Sequence, residues 1–412
     1  MSGGDGGAGR GPLIFLIAGE PSGDQLGAAL MSALRQETGG AVRFAGLGGT
    51  RMAEQGLQSL FPTEELAIMG IVEVLPRALA VYRRIRETVS AVRSIKPDAL
   101  LTIDSPSFSL EVSQRLRGEG FPLIHYVAPS VWAWKPWRAR QMAGYLDHLL
   151  ALLPFEPPYF EQHGLPTTFV GHPAVEVPPR TNEAGAFRRD QGIPETAKLI
   201  CALPGSRRAE IERLAPVFGE ALGLLKRRHS DLRTVVPTIE NVAAQVRDAV
   251  ARWSAPASVV IGPEGKYRAF AAADAGLAAS GTVAVELAAV GLPSVIAYRV
   301  NPLTAFLAKR LATVDLVGLP NLVLEREVMP ELLQDRCTAS NLAEALDRLL
   351  CDDAARQAQI AAFDEVLRKL GRDGRAPSLM AARTILFLID RTRPTGQRQA
   401  EAYNESQPEE ET

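Results

Sequence analysis

The strongest constraint on the fold is a regular alternation of short apolar runs with segments of helical periodicity. One series of such runs occupies the first part of the chain, and a second series follows it. Short apolar runs of this kind are typical of buried parallel strands, with helices covering both faces of the sheet. The alternation predicts two doubly wound α/β sheets, with strands at Leu13–Ala18, Val42–Gly46, Ala99–Ile103, Leu123–Val127 and His148–Leu152, then at Leu199–Leu203, Arg233–Pro237, Ser258–Ile261, Ala275–Ala278 and Ser294–Tyr298.

The two series are separated by a proline-rich segment, residues 171–179. We therefore place one Rossmann-like domain at 12–173 and a second at 174–391, with the last helices free to pack back on the first domain. Residues 1–11 are glycine-rich and residues 392–412 are polar and acidic, which predicts disorder at both ends. Because ligands of such folds bind at the carboxyl ends of the strands, we expect both domains to face a central cleft.

Composition excludes several classes of protein. A formal net charge of −2 over 412 residues argues against nucleic-acid binding. The three cysteines are too widely spaced for a disulfide framework or a zinc motif, which favours a reducing compartment. No apolar stretch reaches the roughly 18 residues of a transmembrane helix, and the N-terminus lacks the layout of a signal peptide. These features predict a cytoplasmic protein.

The most informative turn reads LPGSRR over residues 203–208. Two arginines fall in the first turn of the following helix, where the positive end of the helix dipole disfavours cations. A bound anion would remove this conflict, and its predicted ligands are Gly205, Ser206 and Arg207. Because Pro216 fits poorly inside a helix, we expect a short helix near 207–214 and a second one beginning close to Pro216. The alternative is a surface turn with solvated arginines.

A second strand–turn–helix pattern of the same kind lies further along the chain. Ser280, Gly281 and Thr282 form its turn, with Thr282 as the predicted N-cap. Gly291, followed two residues later by a proline, is predicted to end the helix. Glu286 lies one turn into the helix, where it could accept hydrogen bonds from sugar hydroxyls while a phosphate binds at the turn. The alternative is that Glu286 only offsets the helix dipole.

In the first series, carboxylates occupy the corresponding turns. The turn after the first strand reads AGEPSGD over residues 18–24 and matches neither G-x-G-x-x-G nor the Walker A motif. Its carboxylates would repel phosphate, so the half of the chain that contains Glu20 and Ser22 is expected to bind a neutral or hydroxylated group. Capping by Ser22 or Asp24 is the alternative. Asp104 follows the third predicted strand and is a candidate general base for a sugar hydroxyl, or else a turn-forming residue before Ser-Pro.

Two further segments are candidates for sugar or lipid contact. Residues 125–138 hold three of the four tryptophans beside Lys and Arg, a composition that suits sugar binding and core packing equally. His125 by itself is more typical of a structural histidine. Residues 66–92 join an apolar stretch to a basic helix. This segment predicts docking on an anionic membrane, or a pocket for acyl chains, and an ordinary amphipathic helix is the alternative; the contact residues would be Met69, Ile71, Val72 and Leu75.

Taken together, these motifs closely resemble the lipid-A-disaccharide synthase family. The matching stretches follow the order of the family over about residues 13–350: AGEPSGD, MGIVEVL, the Asp104 turn, HYVAPSVWAW, LPFE, GHP, LPGSR, SGT…E and LPNL. Each motif is short, and the ordered set is specific for the family.

The resemblance implies an inverting glycosyltransferase with a GT-B fold, in which two Rossmann-like domains face a central cleft. It would transfer 2,3-diacylglucosamine from its UDP derivative to 2,3-diacylglucosamine 1-phosphate in lipid A biosynthesis, giving a β-1,6-linked disaccharide phosphate and UDP. No metal or other cofactor is implied. Asp104 would deprotonate the acceptor hydroxyl, Glu286 would hold the ribose and Asn321 would line the nucleotide pocket. Arg207 would stabilise the departing diphosphate, and the AGEPSGD turn would lie on the acceptor side.

The Asp104 turn departs from the family pattern D-x-P-D-x-N, because Ser107 and Ser109 replace the second Asp and the Asn. The role of the second carboxylate therefore stays open. One rival function is a UDP-sugar 2-epimerase on the same fold, and another is a UDP-sugar or lipid-binding protein without activity. The family implies a peripheral position on the inner face of the cytoplasmic membrane of a Gram-negative bacterium, and a homodimer is compatible with the sequence.

Overall fold

The computed structural model describes residues 11–67, 74–133, 135–176, 183–300 and 316–392. The chain divides into two compact units. The first unit ends at Pro173 and resumes at Gly374, while the second runs from Ala174 to Asp373. The last described helix therefore belongs to the first unit.

Each unit contains a six-stranded sheet in which all neighbouring strands are parallel. The first sheet consists of β1 Leu13–Ala18, β2 Arg43–Leu47, β3 Ala99–Ile103, β4 Leu123–Tyr126, β5 His148–Ala151 and β6 Thr167–Phe169. The second consists of β7 Leu199–Leu203, β8 Arg233–Thr238, β9 Ala257–Ile261, β10 Ala275–Ala279, β11 Ser294–Tyr298 and β12 Glu331–Leu333. Two parallel sheets with intervening helices confirm the predicted α/β class.

The strand orders create one switch point in each sheet. The first order is β2-β1-β3-β4-β5-β6 and the second is β12-β11-β10-β7-β8-β9. In the first sheet, β2 lies on one side of β1 and the later strands lie on the other side, so the order of strands reverses between β1 and β3. In the second sheet, the order reverses in the same way between β7 and β10. Ligands of open α/β sheets bind beyond the carboxyl ends of the strands at such reversals. The turns that follow these four strands are the ones for which the sequence predicts site residues.

The described residues form sixteen α-helices, besides three short 3₁₀ helices. They are α1 Pro21–Glu37, α2 Thr50–Glu54, α3 Glu64–Ala67, α4 Val74–Ile95, α5 Pro106–Arg115, α6 Trp137–Ala143, α7 Pro157–Glu161, α8 Ala184–Asp190, α9 Arg208–Arg228, α10 Ala243–Val250, α11 Gly262–Ala272, α12 Val283–Ala289, α13 Leu319–Leu324, α14 Ala339–Cys351, α15 Asp353–Lys369 and α16 Pro377–Thr392. None of the described helices has the length and apolar content needed to cross a membrane.

All ten predicted strands are present, and each end lies within one residue of its predicted position. Two further strands, β6 and β12, were not predicted; they have three residues each and lie at sheet edges. A run of three residues is too short to show a strand period. Edge strands also lack the continuous apolar character of central parallel strands.

Successive side chains of the central strands point to opposite faces of each sheet and pack in two separate cores. In β1, Phe15 and Ile17 pack in one buried cluster, whereas Ile14 and Leu16 pack in the other. The second of these clusters also contains Ile385 of α16, and Arg383 of that helix donates to the Glu37 carboxylate at 2.7 Å. Helix α16 thus completes the core of the first unit.

The prediction of two helices after the LPGSRR turn is wrong, because α9 runs unbroken from Arg208 to Arg228. Pro216 lies inside it and cannot donate a hydrogen bond to the carbonyl of Glu212. Both residues are exposed, so water can hydrate the freed carbonyl. A proline on the solvent face of a helix is therefore tolerated here.

Candidate functional site

The two candidate phosphate turns of the second unit leave neighbouring strands. Leu203 of β7 pairs with Ala278 of β10, so both turns emerge at the same edge of the sheet. Gly205 has φ +123°, a conformation that favours glycine, and a Cβ there would lie 2.6 Å from the Glu210 side chain. The sequence thus builds a tight turn at the switch point of this sheet.

The anion at this turn is supplied by the chain itself. The backbone N–H groups of Ser206 and Arg207 donate to Oε2 of Glu210, at 3.1 and 3.3 Å. The expectation that these two N–H groups are free for a ligand is therefore corrected. The Arg207 side chain is 78% exposed, and its Nη1 lies 3.7 Å from Glu210. Its guanidinium is therefore available to an outside anion.

The second turn presents a carboxylate paired with a cation. Thr282 stands at the N-cap position of α12, as predicted, but its side chain makes no capping hydrogen bond. Gly291 follows the helix with φ +66°, which confirms the predicted stop. Glu286 accepts a hydrogen bond from Lys266 Nζ at 2.8 Å, and both side chains are about three-quarters buried. The Lys266 ammonium also lies 4.7 Å from the centre of the Tyr267 ring.

Asn321 is buried, at 0% exposure, and its amide is engaged by the chain. Its Nδ2 donates to the Met329 carbonyl and to Glu331, and its Oδ1 accepts from the N–H groups of Val328 and Met329. Glu331 also accepts the N–H of Gly318. The side chain of Asn321 therefore anchors the 317–331 segment, and its place at the nucleotide pocket stays a prediction.

In the first unit, Asp104 lies at the switch point between β1 and β3. Ala18 pairs with Ile103, so the turns that follow these strands are neighbours. Ser22 Oγ donates to Asp104 Oδ2 at 3.0 Å, and the Ser105 N–H donates to Oδ1 at 2.8 Å. Asp104 and Ser105 both have positive φ, at +52° and +47°, which is unusual outside glycine and frequent at functional sites.

A cavity of about 320 Å³ opens beside this carboxylate. It is lined by Asp104, His125, Val127, Ala128, Pro129, Ser130 and Arg138. Val127 has φ +83°, a strained conformation for a β-branched residue. The cavity therefore brings a carboxylate, an imidazole and a guanidinium around one space.

His125 is buried, with its Nδ1 2.7 Å from Thr102 Oγ1. Burial lowers the pKa of His125 to about 4, although the nearby Asp104 carboxylate opposes this shift. The imidazole is therefore neutral at physiological pH. Its Nε2 is buried and has no hydrogen-bond partner among the described residues.

Asp24 of the AGEPSGD turn has a structural role. It is buried, and its carboxylate accepts the N–H groups of Gly49, Arg51 and Met52 at the start of α2. The capping alternative thus holds for Asp24, although the helix it caps is α2 and not its own. Glu20 and Ser22 are exposed.

The comparisons with known proteins agree with one another. Residues 14–382 match the family model described as lipid-A-disaccharide synthetase. A lipid-A-disaccharide synthase of Rhodospirillum centenum is 54% identical over 379 residues, covering 92% of this chain and 94% of that protein. One of Paramagnetospirillum magneticum is 50% identical over 381 residues, covering 92% and 97%.

The chain belongs to the lipid-A-disaccharide synthase family. Membership makes it an enzyme, a glycosyltransferase of lipid A biosynthesis.

Solved structures similar to this family member share its fold at low sequence identity. A Staphylococcus aureus MnaA–UDP co-structure gives a TM-score of 0.61 at 14% identity, covering 89% of this chain and 94% of that one. The calicheamicin glycosyltransferase CalG4 gives 0.56 at 16% identity, covering 94% and 100%. These likenesses confirm the GT-B fold. UDP-GlcNAc 2-epimerases share this fold, including that of Neisseria meningitidis at a TM-score of 0.58, 11% identity, and 91% and 98% coverage, so the fold alone does not separate the two activities.

The residues that distinguish this synthase from its family pattern occupy different environments. Ser107 is exposed near the start of α5, whereas Ser109 is buried and its hydroxyl has no partner among the described residues. Neither serine side chain has a described hydrogen bond to Asp104, whose carboxylate is held by Ser22 and Ser105. Asp104 is therefore positioned without the second carboxylate.

The predicted lipid-contact residues fall largely outside the described part of the synthase. Met69, Ile71 and Val72 lie outside the described residues, and only the backbone of Leu75, in α4, is described. Further along α4, Leu79 and Tyr82 are exposed large apolar side chains, at 72% and 50%.

Several residues of the site were not singled out from the sequence. Arg138 and Lys266, the partner of Glu286, carry no spacing signal, because packing of separate elements brings them into place. Glu210 did carry one, since a glutamate three residues after an N-cap is typical of a capping box.

Proposed function

We propose that the chain transfers 2,3-diacylglucosamine from its UDP derivative to 2,3-diacylglucosamine 1-phosphate, with UDP and a β-1,6-linked disaccharide 1-phosphate as products. The observation that carries the proposal is the Asp104 carboxylate, held by Ser22 and Ser105 at the edge of a cavity. Two named relatives at 50% identity or more support the substrates.

In this proposal the second unit holds the donor. The exposed Arg207 guanidinium pairs with the diphosphate, and Ser280, Gly281 and Thr282 lie beside it at the neighbouring strand end. Glu286 accepts hydrogen bonds from the ribose, and Lys266 keeps this carboxylate in place and offsets its charge near the phosphates. As the bond from sugar C1 to the UDP oxygen breaks, Arg207 stabilises the negative charge that develops on the leaving group.

The first unit activates the acceptor. Asp104 removes the proton of the acceptor hydroxyl while the hydroxyl oxygen attacks C1 of the donor from the face opposite UDP, which inverts that centre. Ser22 and the Ser105 N–H keep the carboxylate oriented for this transfer. Arg138, which lines the same cavity, matches the charge of the acceptor 1-phosphate. No step of this mechanism calls for a metal.

We also propose that the enzyme works on the inner face of the cytoplasmic membrane. Support comes from α4, where Leu79 and Tyr82 are exposed next to the exposed Arg83 and Arg86. An apolar and basic surface of this kind suits anionic lipid headgroups. Sedimentation with anionic vesicles, compared with zwitterionic ones, tests this part; equal binding to both would contradict it. A homodimer stays a prediction.

The activity is tested by incubating the purified chain with both diacylglucosamine substrates in detergent micelles and a metal chelator, and detecting the products by mass spectrometry. We expect disaccharide phosphate and UDP in equal amounts. Asp104→Asn should lower kcat by roughly 100-fold or more while leaving KM for the donor similar, because a general base acts in the transition state. Absence of disaccharide, or conversion of a UDP-sugar into its C2 epimer, would overturn the proposal.

A further inference from the structure

A cluster of three potential metal ligands lies in the second unit, away from the turns described above. His229 follows the last residue of α9, while Asp347 and Cys351 are one helical turn apart on α14. His229 Nε2 lies 2.7 Å from Asp347 Oδ1 and 4.0 Å from Cys351 Sγ, and the thiol lies 3.8 Å from the same Oδ1. The three ligand atoms all lie within 4.8 Å of one another.

The surroundings of the cluster favour a cation. His229 is the C-cap of α9 and Cys351 is the last residue of α14, so the negative ends of two helix dipoles meet here. Arg228 donates to Asp347 Oδ2 at 2.9 Å and leaves Oδ1 directed at the histidine.

The ligand set matches one group of metals. Thiolate, imidazole and carboxylate are the ligands that Zn²⁺ takes in tetrahedral sites, at separations of about 3.3–3.6 Å between ligand atoms for ordinary Zn–S and Zn–N distances. The observed separations of 2.7, 3.8 and 4.0 Å bracket that range, so small side-chain rotations would complete the geometry.

We propose that His229, Asp347 and Cys351 form a binding site for Zn²⁺ or a similar divalent transition metal, with water as the fourth ligand. On binding, the Cys351 thiol loses its proton to solvent. His229 gives up the Nε2 proton that it donates to Asp347 and carries its remaining proton on Nδ1, so that the Nε2 lone pair binds the metal. The second carboxylate oxygen stays with Arg228, which orients the ligand from outside. This site goes beyond the glycosyl transfer proposed above.

The position of the site separates it from catalysis. Helix α9 has 21 residues between Arg207 at one end and His229 at the other, a length of about 30 Å at 1.5 Å per residue. The metal therefore binds at the far end of the helix from the nucleotide turn. Its loss should leave the glycosyl-transfer rate unchanged at saturating substrate.

Cobalt absorbance tests the assignment on the full-length, tag-free protein. Titration with Co²⁺ should produce a thiolate-to-cobalt charge-transfer band that Zn²⁺ then displaces. Cys351→Ser should abolish the band, and His229→Gln and Asp347→Asn should each weaken Co²⁺ binding by roughly tenfold or more. Asp353→Asn, which alters a nearby exposed carboxylate outside the cluster, is the matched control and should bind as the wild type does.

A second measurement needs no variant. Cys201 and Cys337 are buried and Cys351 is exposed, so alkylation of the native protein reports on Cys351. Zn²⁺ should slow its alkylation at least tenfold, as followed by mass spectrometry of the labelled peptide. The proposal is overturned by the absence of a charge-transfer band in the wild type, by a band of unchanged affinity in Cys351→Ser or His229→Gln, or by alkylation that proceeds at the same rate with and without Zn²⁺.

Discussion

Arg207→Ala and Glu210→Ala should separate ligand binding from folding at the nucleotide turn. The Arg207 side chain is 78% exposed and its described ionic partner, Glu210, lies 3.7 Å away, so its removal should change the free energy of unfolding by less than about 0.5 kcal/mol. An Arg–phosphate contact contributes about 1.5–3 kcal/mol, so the dissociation constant for UDP should rise by roughly 10- to 100-fold.

Glu210→Ala should act differently. The carboxylate accepts two backbone N–H groups, from Ser206 and Arg207, at the start of α9. Loss of such a cap costs about 1 kcal/mol, which lowers the melting temperature by roughly 2–4 °C in a unit of about 200 residues. UDP affinity should fall only a few-fold, because the turn loosens but the guanidinium remains. Glu210→Gln, which keeps an acceptor oxygen, should fall between wild type and Glu210→Ala in stability.

Calorimetric titration with UDP and thermal unfolding measure the two effects on the same samples. A fall in melting temperature for Arg207→Ala as large as that for Glu210→Ala would contradict this prediction. Wild-type affinity of Arg207→Ala for UDP would also contradict it, since the diphosphate would then be held elsewhere.

Three further predictions concern charge and burial. Lys266→Met should weaken UDP binding about tenfold, because Glu286 would face the diphosphate without its cation; unchanged affinity in the same titration would remove the pair from the site. Asn321→Leu should lower the free energy of unfolding by about 3 kcal/mol, measured by urea denaturation, since it leaves buried N–H groups and Glu331 unpaired; a loss below about 1 kcal/mol would contradict this. Burial raises the pKa of Glu156 from 4.5 to about 7, so the folded state binds this proton more tightly and the contribution to stability declines as pH rises from about 4.5 to 7. Glu156→Gln should therefore become more stable relative to wild type between about pH 5 and pH 8, by up to about 3 kcal/mol; a constant difference across that range would refute the assignment.

Local pattern was sufficient for the strands and for the turns that follow them. Neighbouring parallel strands end at the same edge of a sheet. Recognition of the strands was therefore enough to predict that the turns after them lie at one edge, with Ser22 on the same side as Asp104 and Gly205 on the same side as Ser280. In the structure, Ala18 lies opposite Ile103 and Leu203 lies opposite Ala278, so the turns that follow each of these pairs are neighbours.

Interactions between distant segments could not be read from one sequence. Lys266 and Glu286 are 20 residues apart, and only the folded chain brings Lys266 of α11 to Glu286 of α12. Asp24 caps α2, 25 or more residues further along the chain, although its own helix offered a nearer use. The motif around Asn321 suggested a ligand-binding residue, whereas the structure shows that its side-chain amide already forms hydrogen bonds with the backbone of Val328 and Met329. In each case, a residue distant in sequence determines the role of the side chain, and that partner cannot be identified from local sequence.

The most direct test of the account is an experimental structure of the chain with UDP bound. We predict that the diphosphate contacts the Arg207 guanidinium and lies beside the Ser280–Thr282 turn, with a ribose hydroxyl within hydrogen-bond distance of Glu286. The cavity beside Asp104 should stay free for the acceptor. UDP bound in that cavity instead, with Arg207 still facing solvent, would contradict the division of roles between the two units.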